Sequence, residues 1–207
     1  PQYAQKVLDT ADIVREAIYR QPPSVQSYRD LPMTNPAPND ELYKRASYLM
    51  WKERWSEAIK LLRPECTPAK RDWRSSWNLG WCYFKTGKLD SARKQLIRAT
   101  RLSPESPACK WALGIVYLDQ NQFRKAEAVL EDSLKLKESH NTRIALALAY
   151  LSQGKVAKAE NVHLEGIRLR PKKSEGYESY AVFLSDVGRE VEARKMQQKA
   201  CRLRSVN

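Results

Sequence analysis

Residues 78–92 read Asn78-Leu-Gly-Trp-Cys-Tyr-Phe-Lys-Thr-Gly-Lys-Leu-Asp-Ser-Ala92, NLGWCYFKTGKLDSA. The stretch carries two glycines inside an otherwise helical pattern, and each costs about 1 kcal/mol against alanine there. The rest of the chain explains them. Ala92 recurs as Ala126, Ala159 and Ala193 and is preceded by Ala58, at steps of 34, 34, 33 and 34 residues. Other columns keep the same register. Gly80 aligns with Gly114, Ala147 and Ala181, and Tyr83 with Tyr117, Tyr150 and Leu184. Gly87 aligns with Asn121, Gly154 and Gly188, Ala99 with Ser133, Gly166 and Ala200, and Pro104 with Pro171. A fixed period of this size signals a solenoid of stacked units, each too small to bury its apolar face alone.

Within one period the pattern is two helices. Trp77, Gly80, Tyr83 and Phe84 recur at helical spacing, Gly87-Lys88 breaks the run, and Leu89, Ala92, Leu96 and Ala99 resume it before Pro104. Small residues at 80 and 92 let the two helices approach closely. Glycine or asparagine at the break fits a chain reversal through the left-handed region.

These residues, W-N-L-G-x-x-Y-F-x-x-G-x-x-x-x-A at 77–92, L-G-x-x-Y at 113–117 and the alanine, glycine and proline columns, resemble the tetratricopeptide repeat family. The resemblance covers about residues 39–207 and implies an all-α, right-handed α-solenoid of helix hairpins. Its units are expected at 39–72, 73–106, 107–139, 140–173 and 174–207. The first is degenerate: it keeps Ala46, Leu49, Ala58 and Leu62, but Glu53 stands where the turn glycine belongs. In the last, Gln197 occupies the column of Leu62, Leu96 and Leu130, so either that helix caps the stack or the chain is a shortened one.

Residues 1–38 precede the repeats. Tyr3, Val7, Val14 and Ile18 form one helical stripe over 2–20, and Pro22, Pro23, Pro32, Pro36 and Pro38 mark the following stretch as an extended linker. The amphipathic helix has three candidate roles: capping the first repeat, filling the groove or pairing with another copy, and reaching a partner.

In the family, the first helix of each unit lines a concave groove. The resemblance therefore implies that the groove columns are Arg74, Trp77, Trp81, Phe84 and Lys85 in the second unit, and Ala108, Trp111, Ile115, Leu118 and Asp119 in the third. The fourth contributes Asn141, Ile144, Leu148, Leu151 and Ser152, and the fifth Glu175, Glu178, Val182, Ser185 and Asp186. The middle of this surface is apolar and aromatic. It is expected to be exposed and to receive an apolar or amphipathic segment of a partner protein, since large apolar patches and tryptophans mark such sites. Family modules that grip chaperone carboxylates need a lysine and an asparagine where Trp77 and Trp81 stand, which argues against that ligand.

The formal net charge is +13, and it is uneven. Residues 73–106 and 140–173 each hold seven basic and two acidic side chains. The basic ones fall mostly on the second helices and the turns between repeats: Arg93, Lys94, Arg98, Arg101, Lys155, Lys158, Arg168, Arg170, Lys172 and Lys173. These helices form the convex face in the family. That face is either a solvated surface or a dock for an acidic protein or an anionic membrane surface. Nucleic acid fits less well, because the aromatics lie on the other helices.

The sequence predicts no enzyme and no cofactor. His140 and His163 are isolated, His140 as a cap or solvent residue and His163 in a leucine column, and no phosphate loop or nucleophile elbow occurs. Cys66, Cys82, Cys109 and Cys201 lack metal or redox spacing and read as reduced thiols, with a Cys82–Cys109 bridge left open. No apolar run spans a membrane and no basic-then-apolar leader is visible, which predicts a cytoplasmic location, at the face of a membrane if the basic side is used. The expected role is an adaptor, scaffold or assembly subunit. The alternatives are a chaperone for secreted or membrane subunits, or a binder of nucleic acid or anionic membrane.

Overall fold

The structure is a computed structural model and describes residues 40–205. The expected N-terminal helix and proline-rich linker lie outside the described residues. Every regular element among the described residues is helical. They divide into two compact units at Asn121 and Gln122.

The first unit holds α1 (Asp40–Trp51), α2 (Trp55–Leu62), a 3-10 turn (Arg63–Glu65), α3 (Trp73–Lys85), α4 (Leu89–Leu102) and α5 (Pro107–Asp119). The hairpin of α3 and α4 is its most extensive packing. Helix α2 packs on α3, α4 packs on α5, and α1 and α5 both reach α3. The second unit holds α6 (Phe123–Leu136), α7 (His140–Leu151), α8 (Val156–Leu169), α9 (Ser174–Asp186) and α10 (Glu190–Arg204). There α7 packs against α6 and α8, and α9 against α10, α8 and α7.

Two start signals serve eight of the helices, and α9, after Lys173, uses neither. Helices α3, α5 and α7 are capped by side chains: Asp72 accepts from the Arg74 N–H, Ser106 from that of Cys109, and Ser139 from that of Thr142. The cap of α7 is thus Ser139, and His140, expected as a cap or solvent residue, is a half-buried first-turn residue. Helices α2, α4, α6, α8 and α10 have no side-chain cap. Each instead follows a left-handed turn residue: Glu53 (φ 55°), Gly87 (72°), Asn121 (56°), Gly154 (73°) or Gly188 (81°). At four of these turns the chain closes with a bond spanning five residues, such as Lys88 N–H to Tyr83 O at 2.8 Å and Arg54 N–H to Leu49 O at 2.8 Å. That closure satisfies the last carbonyls of the preceding helix. The degenerate first repeat keeps the same turn, with Glu53 holding a conformation that ordinarily favours glycine.

The alanine and leucine columns are buried within each unit. Ala58, Ala92, Ala126 and Ala159, with Leu62, Leu96 and Leu130, have no exposed surface, and Gln197 at the end of the leucine column is exposed. Gly80 is where α3 meets α4 most closely. A Cβ there would lie 2.8 Å from Leu96 Cγ and 3.3 Å from Ala92 O. Leu96 is fully buried and has little room to yield. Gly80→Ala is therefore expected to lose about 1 kcal/mol in a urea melt, because overpacking of about 1–3 kcal/mol exceeds the helix-propensity gain of about 1 kcal/mol.

Candidate functional site

In the first unit, the groove columns of α3 and α5 meet as an aromatic cluster. The i, i+4, i+7 spacing of Trp77, Trp81 and Phe84 puts them on one stripe of α3. Trp77 and Trp81 stack with ring centroids 6.0 Å apart and planes 3° from parallel. Trp81 lies 5.1 Å from Phe84, and 5.4 Å from Trp111 on α5. Three indole N–H groups sit in this cluster with different fates. Trp77 Nε1 donates to the Ala108 carbonyl at 3.1 Å. Trp81 Nε1 and Trp111 Nε1 are buried and have no acceptor.

The expectation of an exposed aromatic surface is corrected here. Trp77, Trp81, Phe84, Ile115 and Leu118 are buried, and Trp81 has no accessible surface at all. Trp81 touches Trp77, Phe84 and Trp111, so packing within this unit reaches columns that the repeat register leaves outside the hairpin core. Trp111, Arg74 and Lys85 are half-buried. Arg74 sits over the Trp73 ring and Lys85 over Trp55, and burial lowers the Lys85 ammonium pKa. In the second unit Ile144 is half-buried, while Leu148, Leu151 and Asp186 are buried rather than exposed. Of the acidic residues assigned to the groove, Glu175 is exposed and Glu178 pairs with Arg204 at 2.6 Å.

The basic face is thinner than the charge count implied. Arg98 is turned inward to the 66–72 loop, where its guanidinium donates to the carbonyls of Cys66, Thr67 and Lys70. Arg93 pairs with Asp90, Lys155 with Glu127, and Arg168 with Glu165. Lys94, Arg101, Lys158, Arg170, Lys172 and Lys173 remain as exposed cations, with Lys158 lying over the Tyr150 ring. The four cysteines are free, which closes the Cys82–Cys109 alternative, and burial pushes the Cys82 thiol up to about 12.

The second unit carries a polar device that the sequence reading missed. Glu127 and Glu160, each the residue after a buried alanine, pair at 2.6 Å with Lys155 and Arg189, each at the start of the next second helix. Tyr180 donates to the same Glu160 carboxylate at 2.7 Å. The Tyr180 and Arg189 bonds hold Glu160 below its ordinary pKa, against the opposing effect of burial. The signal was available, since 127 and 160 share one column and 155 and 189 another. Only the fold shows that these columns touch.

Among the described residues no helix is long and apolar enough to cross a membrane. A tetratricopeptide repeat family model matches residues 43–107 and 112–174, and the chain belongs to that family. Its fold is that of a protein–protein interaction scaffold. Solved structures share the fold. A structure titled MamA AMB-1 is 23% identical, with a TM-score of 0.65, over 81% of this chain and 99% of that one. MamA from residue 41 to its end, from Desulfovibrio magneticus RS-1, is 16% identical, with a TM-score of 0.68, over 83% of this chain and 98% of that one. No curated protein matches the chain.

Proposed function

We propose that the chain is a non-catalytic adaptor or scaffold, and that the face built by α3 and α5 receives an apolar segment of a partner polypeptide. The observation that carries this reading is the aromatic cluster. It concentrates three tryptophans and a phenylalanine on the first helices of two adjacent repeats, and Trp111, Arg74 and Lys85 keep part of their surface open at its margin. Indoles flanked by cations are favoured anchors for a peptide chain.

The test uses peptides selected on the immobilised full chain from a random display library of about 12 residues. Trp111→Ala is expected to weaken their binding at least about tenfold. The substitution should leave a single cooperative melt. Binding that ignores Trp111→Ala and collapses between about 50 and about 200 mM salt would move the function to Lys94, Arg101, Lys158, Arg170, Lys172 and Lys173. A library that yields no binder would remove the peptide-docking reading altogether.

A further inference from the structure

Within the two units every later first helix is covered by the second helix before it: α2 packs on α3, α4 on α5, α6 on α7 and α8 on α9. Among the described residues no helix precedes α1. The covered column runs Tyr48, Cys82, Val116, Ala149 and Phe183. Cys82, Val116 and Ala149 have no accessible surface and Phe183 is 2% exposed, whereas Tyr48 is 52% exposed. At Phe183 the covering side chain is visible, because the His163 ring on α8 lies 5.2 Å away. On α1 the exposed ring of Trp51 adds to the open edge, 6.2 Å from that of Tyr48. Arg45 is exposed too, in the column that buries Leu79, Leu113, Leu146 and Tyr180.

The chain upstream of α1 has the pattern of the missing cover. Val7, Thr10, Val14, Ala17, Ile18 and Pro22 keep the spacing of Val156, Ala159, His163, Gly166, Ile167 and Pro171, and that of Leu89, Ala92, Leu96, Ala99 and Pro104 where those columns exist. The apolar stripe of residues 2–20 is thus in the register of a second helix, with Thr10 in the alanine column. We infer that residues 2–20 are the second helix of an incomplete repeat and pack on the open edge of α1, with Val14 against Tyr48 as His163 lies against Phe183. Residues 23–39 make the connection, and an extended chain of that length spans roughly 50 Å, well beyond the length of α1. Docking takes the stripe and Tyr48 out of water together. The Arg45 stem lies along the single covering helix and its guanidinium stays in water. A second copy stacked head to tail fits the edge worse. It would bring Arg194, in the column of Glu160, to Arg45, in the column of Tyr180, so two cations would meet where the chain elsewhere sets a hydroxyl on a carboxylate. In residues 2–20 the same place belongs to Ala11. This interface is separate from the aromatic face of α3 and α5 and stands or falls without it.

The test is amide hydrogen exchange on the full chain. Residues 2–20 are expected to exchange at least about tenfold more slowly than an unstructured peptide, at rates that stay the same when the protein is diluted about a hundredfold. Tyr48→Asp should return them to unstructured rates, and Tyr48→Phe should keep them protected. Val14→Asp should release residues 2–20 and also speed exchange in α1. In all three variants α9 and α10 should keep their wild-type rates, which reports that the stack is folded. Where Tyr48→Asp disturbs that fold, Val14→Asp decides, because it lies upstream of the stack. Three results would overturn the inference. In the first, residues 2–20 exchange at unstructured rates in the wild type. In the second, their protection survives Tyr48→Asp, or α1 is indifferent to Val14→Asp, which puts the segment on another surface. In the third, the protection fades on dilution, which makes the occupant of the edge a second copy.

Discussion

Replacing Trp81 by alanine is expected to cost about 3–5 kcal/mol of stability, the range for deleting a fully buried large aromatic. The ring has no accessible surface and touches Trp77, Phe84 and Trp111, so the substitution leaves a cavity at the junction of α3 and α5. A urea melt should show a lower midpoint with little change in slope, since the surface exposed on unfolding is nearly the same. Trp81→Phe keeps most of the stack and should cost well under half as much. An exposed anchor would behave differently, because surface substitutions stay within about 0.5 kcal/mol. A loss that small for Trp81→Ala would return Trp81 to the surface where the repeat register placed it. This expectation also sets the choice of functional variant. Trp111, half-buried at the margin, can report on binding, whereas loss of Trp81 would confound binding with folding.

The contrast between these two tryptophans marks how far the sequence was legible. Requirements carried by one residue were readable. A left-handed turn selects glycine or asparagine locally, and all of Gly87, Asn121, Gly154 and Gly188 adopt it, with Glu53 holding the same place in the first repeat. The close approach at Gly80 was readable for the same reason, because its cause is the missing Cβ. Burial of Trp77, Trp81 and Ile115 was not readable from the register. Periodicity assigns a side chain to a face of its helix, and what covers that face depends on the neighbouring repeat. The charge count failed in a similar way at Arg98, whose acceptors are carbonyls of a loop about thirty residues earlier in the chain, a pairing that no column reveals. The salt links of Glu127 and Glu160 lie between these cases. Their columns are visible, but their contact is a property of how the hairpins stack.

His163 tests the leucine column from the opposite direction. It stands where Leu96 and Leu130 stand, buried, with its ring 5.2 Å from Phe183 and 6.0 Å from Tyr180. Burial among these rings drives its pKa down to about 3, with His140 adding to the shift and Glu160 opposing it. The folded chain therefore keeps His163 neutral where the unfolded chain, near 6.5, takes up a proton. More protons bound in the unfolded state means that stability rises with pH. This contribution is complete above about pH 6.5 and shrinks as pH falls toward about 3, with about 2 kcal/mol lost by pH 5. Glu160, whose pKa is lowered, gives up its share only in more acid solution, so the window from pH 7 to pH 5 isolates the histidines. His140, also lowered by burial, contributes in the same direction and remains in the variant. His163→Leu restores the column's usual residue and removes the titration. Its melts should show a stability advantage over the wild type that widens by about 2 kcal/mol between pH 7 and pH 5. If the two proteins lose stability in parallel over that range, His163 is protonated in the folded chain and its ring has found water or a carboxylate there.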